Sequence, residues 1–183
     1  MMLRATAVFS VLALGSTLAF AEPERKTLQV FEDIQTQVNR YAYFTIFDDV
    51  NVAIDEQGVV ALTGRVTGPH KSREIAKRVA TVEGVHRVDN AITVLPVSRH
   101  DDRLRIGIAR AIYGSSHFQR YGVGVSPPIH IVVERGHVTL TGVVANQVDR
   151  RLAEIIARRS LAFSVTNRLQ TNEEARAELE LLN

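Results

Sequence analysis

The chain has 183 residues, with 22 lysines and arginines against 20 aspartates and glutamates, and it contains no cysteine. This near balance of charge argues against a general nucleic-acid-binding protein, which usually carries a clear basic surplus. Without cysteine no disulfide can stabilise the chain, so each folded unit depends on its own apolar core.

The first 21 residues have the three parts of a secretory signal peptide. Arg4 supplies a positive charge, residues 5–14 form a short uncharged apolar run, and residues 19–21 (AFA) form a small-x-small cleavage signal. The run is shorter than the roughly 20 apolar residues that cross a bilayer. We therefore predict cleavage between Ala21 and Glu22 and export of the mature chain. A retained N-terminal anchor is the alternative.

Residues 27–95 have the pattern of one folded unit. The predicted elements are a helix at 28–41, strands at 50–54 and 59–66, a helix at 70–82 and a strand at 88–94. Apolar residues recur at spacings of three and four in the helices and at every second position in the strands. Gly58 closes the polar loop between the first two strands, which predicts a hairpin.

Residues 101–171 repeat this pattern, so that VVALTGRV at 59–66 returns as HVTLTGVV at 137–144. The predicted elements of the second unit are a helix at 104–112, strands at 129–133 and 137–144, a helix at 147–160 and a strand at 165–171. The predicted apolar stripe of the helix at 147–160 consists of Val148, Leu152, Ile155 and Ile156. Gly136 closes the second hairpin loop. Residues 96–100 are the predicted linker, and residues 172–183 form an acidic, polar tail in which we expect a loosely held helix.

The order of elements fixes the expected sheet. The hairpin makes the first two strands antiparallel, and the helical crossover makes the second and third strands parallel with a right-handed connection. The predicted fold class is α+β. It consists of two tandem αββαβ domains, each a three-stranded mixed sheet with two helices on one face.

Gly64 and Gly142 lie in the strands expected to be central, on the apolar side that the helices cover. A glycine weakens a strand by about 0.5–1 kcal/mol relative to alanine. We therefore interpret both as structural, like Gly58 and Gly136, and expect them to allow close approach of a helix backbone. A ligand-binding backbone surface is the alternative. The opposite sheet faces carry small or weakly polar residues, which can stay wet, pack against the sister domain or receive a partner.

These motifs together resemble the BON domain. In the first copy they are Gly58, Val60 to Val66, Ile75-Ala76 and Val88 to Ile92; in the second they are Gly136, Val138 to Val144, Leu152-Ala153 and Val165 to Leu169. A signal peptide followed by two such domains is similar to the hyperosmotically inducible periplasmic proteins of Gram-negative bacteria. One departure is Leu161-Ala162, which stands where the first copy has Gly84-Val85.

The resemblance implies a non-enzymatic periplasmic protein without cofactor or small-molecule substrate. Its expected partners are anionic phospholipid surfaces or other envelope proteins, and its expected role is in osmotic or envelope stress and envelope integrity. A periplasmic chaperone or protein-interaction module that acts through the open sheet faces without lipid is the alternative. Peptidoglycan binding also stays open, and the sequence leaves the oligomeric state undetermined.

The chain shows no nucleophile motif and no phosphate-binding glycine loop. His130 and His137 can approach each other across the second hairpin, but two ligands are too few for a metal site. We therefore predict no catalytic, cofactor-binding or metal-binding residue. Asn90 and Asn167 recur in the last strands, where we expect them to satisfy backbone groups near the sheet end.

Basic residues on the helices of the second unit are the candidate lipid-binding or partner-binding residues. They are Arg103, Arg110, Arg150, Arg151 and Arg158. Anionic headgroups attract a basic side chain near the membrane by about 1 kcal/mol. Glu154 lies four residues from both Arg150 and Arg158 and would partly neutralise them, so a solvated helix face is the alternative.

Overall fold

A computed structural model describes residues 27–55, 57–124 and 126–180. The predicted signal peptide, with its cleavage site at Ala21 and Glu22, and the last three residues of the tail lie outside this part of the chain. None of the helices in the described ranges is long and apolar enough to cross a membrane.

The first domain has the predicted order of elements. They are α1 (Thr27–Asn39), β1 (Asp49–Ile54), β2 (Val59–Val66), α2 (Pro69–Val79), β3 (Arg87–Asn90) and β4 (Thr93–Val94). Strand β2 is central, antiparallel to β1 and parallel to β3 and β4. Both helices bury apolar residues against one side of β2, where Val60, Leu62 and Val66 have no exposed surface. Gly58 closes the β1–β2 hairpin with φ +71°.

The second domain repeats this arrangement. Its elements are α3 (Arg99–Tyr113), a short 3-10 helix (Gln119–Tyr121), β5 (Ile129–Glu134), β6 (His137–Val144), α4 (Gln147–Arg158), β7 (Ser164–Asn167) and β8 (Gln170–Thr171), followed by α5 (Asn172–Glu180). Strand β6 is antiparallel to β5 and parallel to β7 and β8. Gly136 closes the hairpin with φ +80°. The predicted α+β fold of two αββαβ repeats is confirmed.

The last strand of each domain differs from the prediction because an asparagine side chain interrupts it. The carboxamide oxygen of Asn90 accepts the backbone N–H of Ile92 at 3.1 Å, and its amino group donates to the carbonyl oxygen of Ser72 on α2 at 3.2 Å. Asn167 makes the two equivalent hydrogen bonds in the second domain. Each sheet therefore has four strands instead of three. The predicted role of both asparagines in satisfying backbone groups is confirmed.

The predicted linker contains the start of a helix, and the tail contains the helix predicted there, α5, which buries no residue. Helix α3 begins at Arg99, inside the predicted linker 96–100, because the hydroxyl of Ser98 accepts the N–H of Asp101 and caps the helix. Helix α5 contacts β6 and β8. The Glu174 carboxylate on its first turn accepts the N–H of Thr171 at 2.8 Å, so the tail is fastened to the second sheet.

The two domains meet along their edge strands, β1 and β5. The N–H of Ile131 donates to the carbonyl oxygen of Ile46 at 2.6 Å, and the Thr141 hydroxyl donates to the Asp49 carboxylate at 2.8 Å. Val132 and Thr141, on the outer side of the second sheet, are only 5% and 8% exposed. The outer face of the second sheet is therefore partly closed, whereas that of the first sheet is exposed along β2 and β3.

Candidate functional site

Helix α4 buries a different side from the one its large apolar residues suggest. The predicted stripe included Val148 and Ile155, but these side chains are 65% and 50% exposed. The helix instead buries Asp149, Ala153 and Ala157, at most 1% exposed. This part of the prediction was wrong because small alanines four residues apart let the helix lie close to the sheet, while a buried carboxylate fixes its rotation. Two large apolar side chains are left facing outward.

The buried carboxylate is held by the segment between α3 and β5. Asp149 accepts hydrogen bonds from His117 Nε2 at 2.6 Å, from the guanidinium of Arg120 and from the hydroxyl of Tyr121. Burial raises the pKa of Asp149, but the hydrogen bonds from Tyr121, His117 and Arg120 outweigh it and hold the pKa below its ordinary value. Residues 117–121 therefore fasten to the first turn of α4 and set which side of that helix faces solvent.

The helices α3 and α4 lie side by side and present two exposed stripes. We call these stripes together the α3–α4 surface: Arg99, Arg103, Ile106 and Arg110 from α3, and Val148, Arg151, Ile155 and Arg159 from α4 and its C-terminal cap. Residues within each stripe are three or four positions apart, so they share one side of the helix. Across the described residues, none of the five arginines of this surface has an ion-pair partner. The surface is basic and apolar together.

The structure divides the five predicted arginines into two groups. Arg103, Arg110 and Arg151 belong to the α3–α4 surface. Arg150 pairs with Glu174 of α5 at 3.0 Å, and Arg158 pairs with Glu154 at 2.7 Å. These carboxylates partly neutralise the two paired arginines, which therefore attract an anion less strongly.

Sequence reasoning placed Arg159 on the last helix but did not select it as a binding residue. Arg159 lies four residues after Ile155 and eight after Arg151, so the three residues share one side of the helix. This spacing identifies a binding residue only when the rotation of α4 is known. In the structure the side chain is exposed beside the α3–α4 contact.

A second apolar feature extends this side of the domain. Leu161 and Phe163 are 87% and 77% exposed. The ring of Phe163 lies over the turn glycine Gly136, as the ring of His86 lies over the matching glycine of the first hairpin. Leu161 stands where the first domain has Gly84. We call Leu161 and Phe163 the apolar tip; the first domain has a glycine and a histidine at these two positions.

Gly64 and Gly142 allow close approach of the neighbouring strand. The prediction that they allow close approach of a helix was wrong. Gly64 and Gly142 have φ values of +120° and +104°, which side chains of L-residues rarely adopt. An added Cβ would overlap the carbonyl oxygen of Asp49 on β1 or of Pro128 just before β5. Close strand pairing, not helix packing, explains both glycines.

The histidines do not form a metal site. His130 Nδ1 lies 2.5 Å from the carbonyl oxygen of Asp48, and His137 Nδ1 lies 2.8 Å from the Ser164 hydroxyl, so the two rings have separate partners. Among the residues that the structure describes, no three histidine, aspartate or glutamate side chains are placed to hold a metal ion.

The model of the BON domain family matches residues 30–96 and 120–173, more than half of the chain. The chain belongs to the BON domain family. BON is a non-catalytic binding domain that is associated with phospholipid binding and with osmotic-stress proteins. The second matched range begins after α3, so that helix of this BON protein lies outside the family match.

No curated protein matches the chain. Two solved structures of CdsD, a structural protein of the type III secretion system of Chlamydia trachomatis, are similar to it. One has 13% identity and a TM-score of 0.31, with 84% of this chain and 98% of that chain covered. The other, the C-terminal domain, has 14% identity and a TM-score of 0.30, with 76% and 96% covered.

Proposed function

We propose that this tandem-BON protein binds anionic phospholipid membranes through the α3–α4 surface and the apolar tip of its second domain. The observation that carries the proposal is the set of five exposed arginines, unpaired within the described ranges, that alternate with exposed Ile106, Val148 and Ile155. Amphipathic surfaces that combine arginine with large apolar residues lie in the membrane interface, with the charges at the headgroups and the apolar side chains below them.

The energetics favour a reversible surface contact. Each basic side chain near an anionic surface contributes about 1 kcal/mol, and this attraction falls off within a Debye length. The apolar tip adds a hydrophobic contribution, because insertion into the membrane would remove the exposed side chains of Leu161 and Phe163 from water. Both contributions lie on the same domain, whereas the first domain lacks the apolar tip.

The predicted signal peptide supports a location in the periplasm, and the family association supports a role in osmotic or envelope stress. We place the mature protein in the periplasm as a non-enzymatic component of the envelope that contributes to envelope integrity under osmotic or envelope stress. Envelope proteins are further candidate partners, because the outer face of the first sheet is exposed.

Vesicle sedimentation tests the proposal. The mature chain is mixed with vesicles that contain phosphatidylglycerol or only phosphatidylcholine, at low and high salt. Binding is expected to the anionic vesicles and to weaken with salt. Arg103→Gln with Arg151→Gln removes two unpaired charges and should weaken binding by about 30-fold, the equivalent of about 2 kcal/mol.

The matched control removes the same charge from the first domain. Arg73 and Lys77 are exposed on α2, so Arg73→Gln with Lys77→Gln changes the net charge equally. This variant should bind nearly as well as the wild type. Equal binding to neutral vesicles, or equal loss in both double variants, would contradict the proposal.

The alternative is a periplasmic chaperone or protein-interaction module that needs no lipid. One observation favours it: the small residues Ala53, Ala61 and Thr63 are exposed on the outer face of the first sheet. It predicts that the protein suppresses aggregation of an unfolded client in the absence of lipid and that Ala61→Arg abolishes this effect. A variant with unchanged activity would exclude this face.

A further inference from the structure

An open groove of about 490 Å³ runs between α3 and α4. Apolar side chains line its interior: Leu104, Ile108 and Ala111 from α3, and Ile156 from α4. Small-molecule sites in proteins are typically about 300–1,000 Å³ and mostly apolar, with a few polar groups that orient the ligand. The groove has the size and the lining of such a site.

A glycine in the middle of α3 lies exposed along the groove. Gly107 lines it, and a Cβ built on this residue meets no atom within 4 Å. Glycine inside a helix costs about 0.5–1 kcal/mol relative to alanine, so the chain gives up helix stability here without a steric need for glycine. Ile34 of α1 corresponds to Ile108 of α3, so the first domain has Asp33 at the position of Gly107.

The two domains also differ at the end of the groove. In the first domain Val30 packs so closely on Gly84 that an added Cβ would lie 2.8 Å from its methyl group. In the second domain Leu104 and Leu161 occupy these two positions, and both line the groove. Leu161 carries a side chain where Gly84 has none, so the close packing of Val30 on Gly84 is not repeated. Leu104 lies in the interior of the groove, and Leu161, 87% exposed, lies at its edge.

The rim of the groove is cationic. Arg103 and Arg159 lie beside its opening together with His100, and neither arginine has an ion-pair partner in the described part of the chain. A guanidinium group binds a carboxylate through two parallel hydrogen bonds. An open apolar groove with this rim is complementary to a single hydrocarbon chain that ends in a carboxylate.

We propose that the groove between α3 and α4 binds one long-chain fatty acid, with its chain between the helices and its carboxylate at Arg103 and Arg159. This site goes beyond the proposed membrane contact. Arg103 and Arg159 belong to both sites, but membrane headgroups would meet them at the outer surface, whereas the fatty acid enters between the helices from solution. Ligand binding therefore needs no vesicle.

A fluorescent fatty acid tests the proposal. cis-Parinaric acid is titrated into the mature chain without vesicles, at concentrations below its aggregation, and its fluorescence should rise saturably with one site per chain. Gly107→Leu places a side chain in the groove and should weaken binding at least about 10-fold. Gly124→Leu makes the same change in the 114–128 segment, where no groove residue lies, and should bind like the wild type.

Two further readouts make the result decisive. Gly107→Leu should melt no lower than the wild type, because leucine favours a helix, so lost binding would not reflect unfolding. Oleic acid should displace the probe at least about 10-fold better than oleyl alcohol, which has no carboxylate. The absence of saturable binding, unchanged binding by Gly107→Leu or equal displacement by the alcohol would each overturn the proposal. Vesicle sedimentation of Gly107→Leu reports on membrane binding separately.

Discussion

Lys71 and Asp149 occupy matching positions, 78 residues apart, in the first turns of α2 and α4, and each is buried in a polar cluster of opposite charge. The ammonium of Lys71 donates to the Asp48 carboxylate at 2.6 Å, whereas Asp149 accepts from a histidine, an arginine and a tyrosine. In both domains this contact fastens the segment before the hairpin to the second helix. The duplicated fold thus keeps the position of the contact and reverses its charge.

Loss of Lys71 should destabilise the first domain strongly. Asp48 is fully buried, and Lys71→Met would remove its ion-pair partner, leaving the carboxylate only the hydrogen bonds from Thr45 and Thr67. Breaking a buried ion pair in this way costs about 3–5 kcal/mol. Urea unfolding of the full chain measures the effect. Lys77→Met, at an exposed position of the same helix, should stay within about 0.5 kcal/mol of the wild type. Equal stability of the two variants would show that the Asp48 contact contributes little.

The same carboxylate should make the first domain sensitive to acid. Burial raises the pKa of Asp48, but hydrogen bonds from Lys71, Thr67 and Thr45 outweigh it and hold the pKa below its ordinary value of 3.8. Because the pKa is lower in the folded state, this group stabilises the fold above the unfolded pKa, and the contribution is lost as the pH falls through the folded pKa.

Asp48→Asn isolates that contribution. The variant should be less stable than the wild type at neutral pH, and the difference in melting temperature should shrink between about pH 5 and about pH 2. The remaining carboxylates titrate in both proteins, so the difference reports on Asp48. A difference that stayed constant with pH would contradict the assignment.

Replacing Gly64 of the central strand, even by alanine, should lower the free energy of unfolding. Gly64→Ala would force a side chain into a backbone with φ +120° and against the carbonyl oxygen of Asp49. Strain of this kind costs about 1–3 kcal/mol, measured as the free energy of unfolding. Gly107→Ala is the matched control and should instead stabilise the chain by about 0.5–1 kcal/mol. If Gly64→Ala left the stability unchanged, strand pairing would not explain this glycine.

The fold could be predicted where the spacing of apolar residues alone determines which side chains are buried. Alternation in β2 predicted that Val60, Leu62 and Val66 are buried, since neighbouring strand residues point to opposite faces. The repeat then predicted the second domain without further information. The split of the last strand depends on where one side-chain amide of Asn90 finds its partners, which the alternation of apolar residues does not encode.

The candidate site could be predicted only in part because its key contacts are distant in sequence. The spacing of Arg103, Arg110 and Arg151 was visible, but the rotation of α4 depends on Asp149 binding a segment about 30 residues earlier. Hydrophobicity favoured Val148 and Ile155 as buried residues over Ala153 and Ala157, whose small size is what allows the close contact. This rotation of α4 is what leaves Val148 and Ile155 exposed on the α3–α4 surface.

A tryptophan reporter tests membrane binding by the second domain most directly. The chain contains no tryptophan, so Phe163→Trp places a single probe in the apolar tip, and His86→Trp places the same probe at the matching position of the first domain. With anionic vesicles at low salt, emission from Trp at position 163 should shift to shorter wavelength as the ring enters the interface, and emission from position 86 should not. Neutral vesicles should shift neither. No shift at position 163, or an equal shift at both positions, would contradict the account.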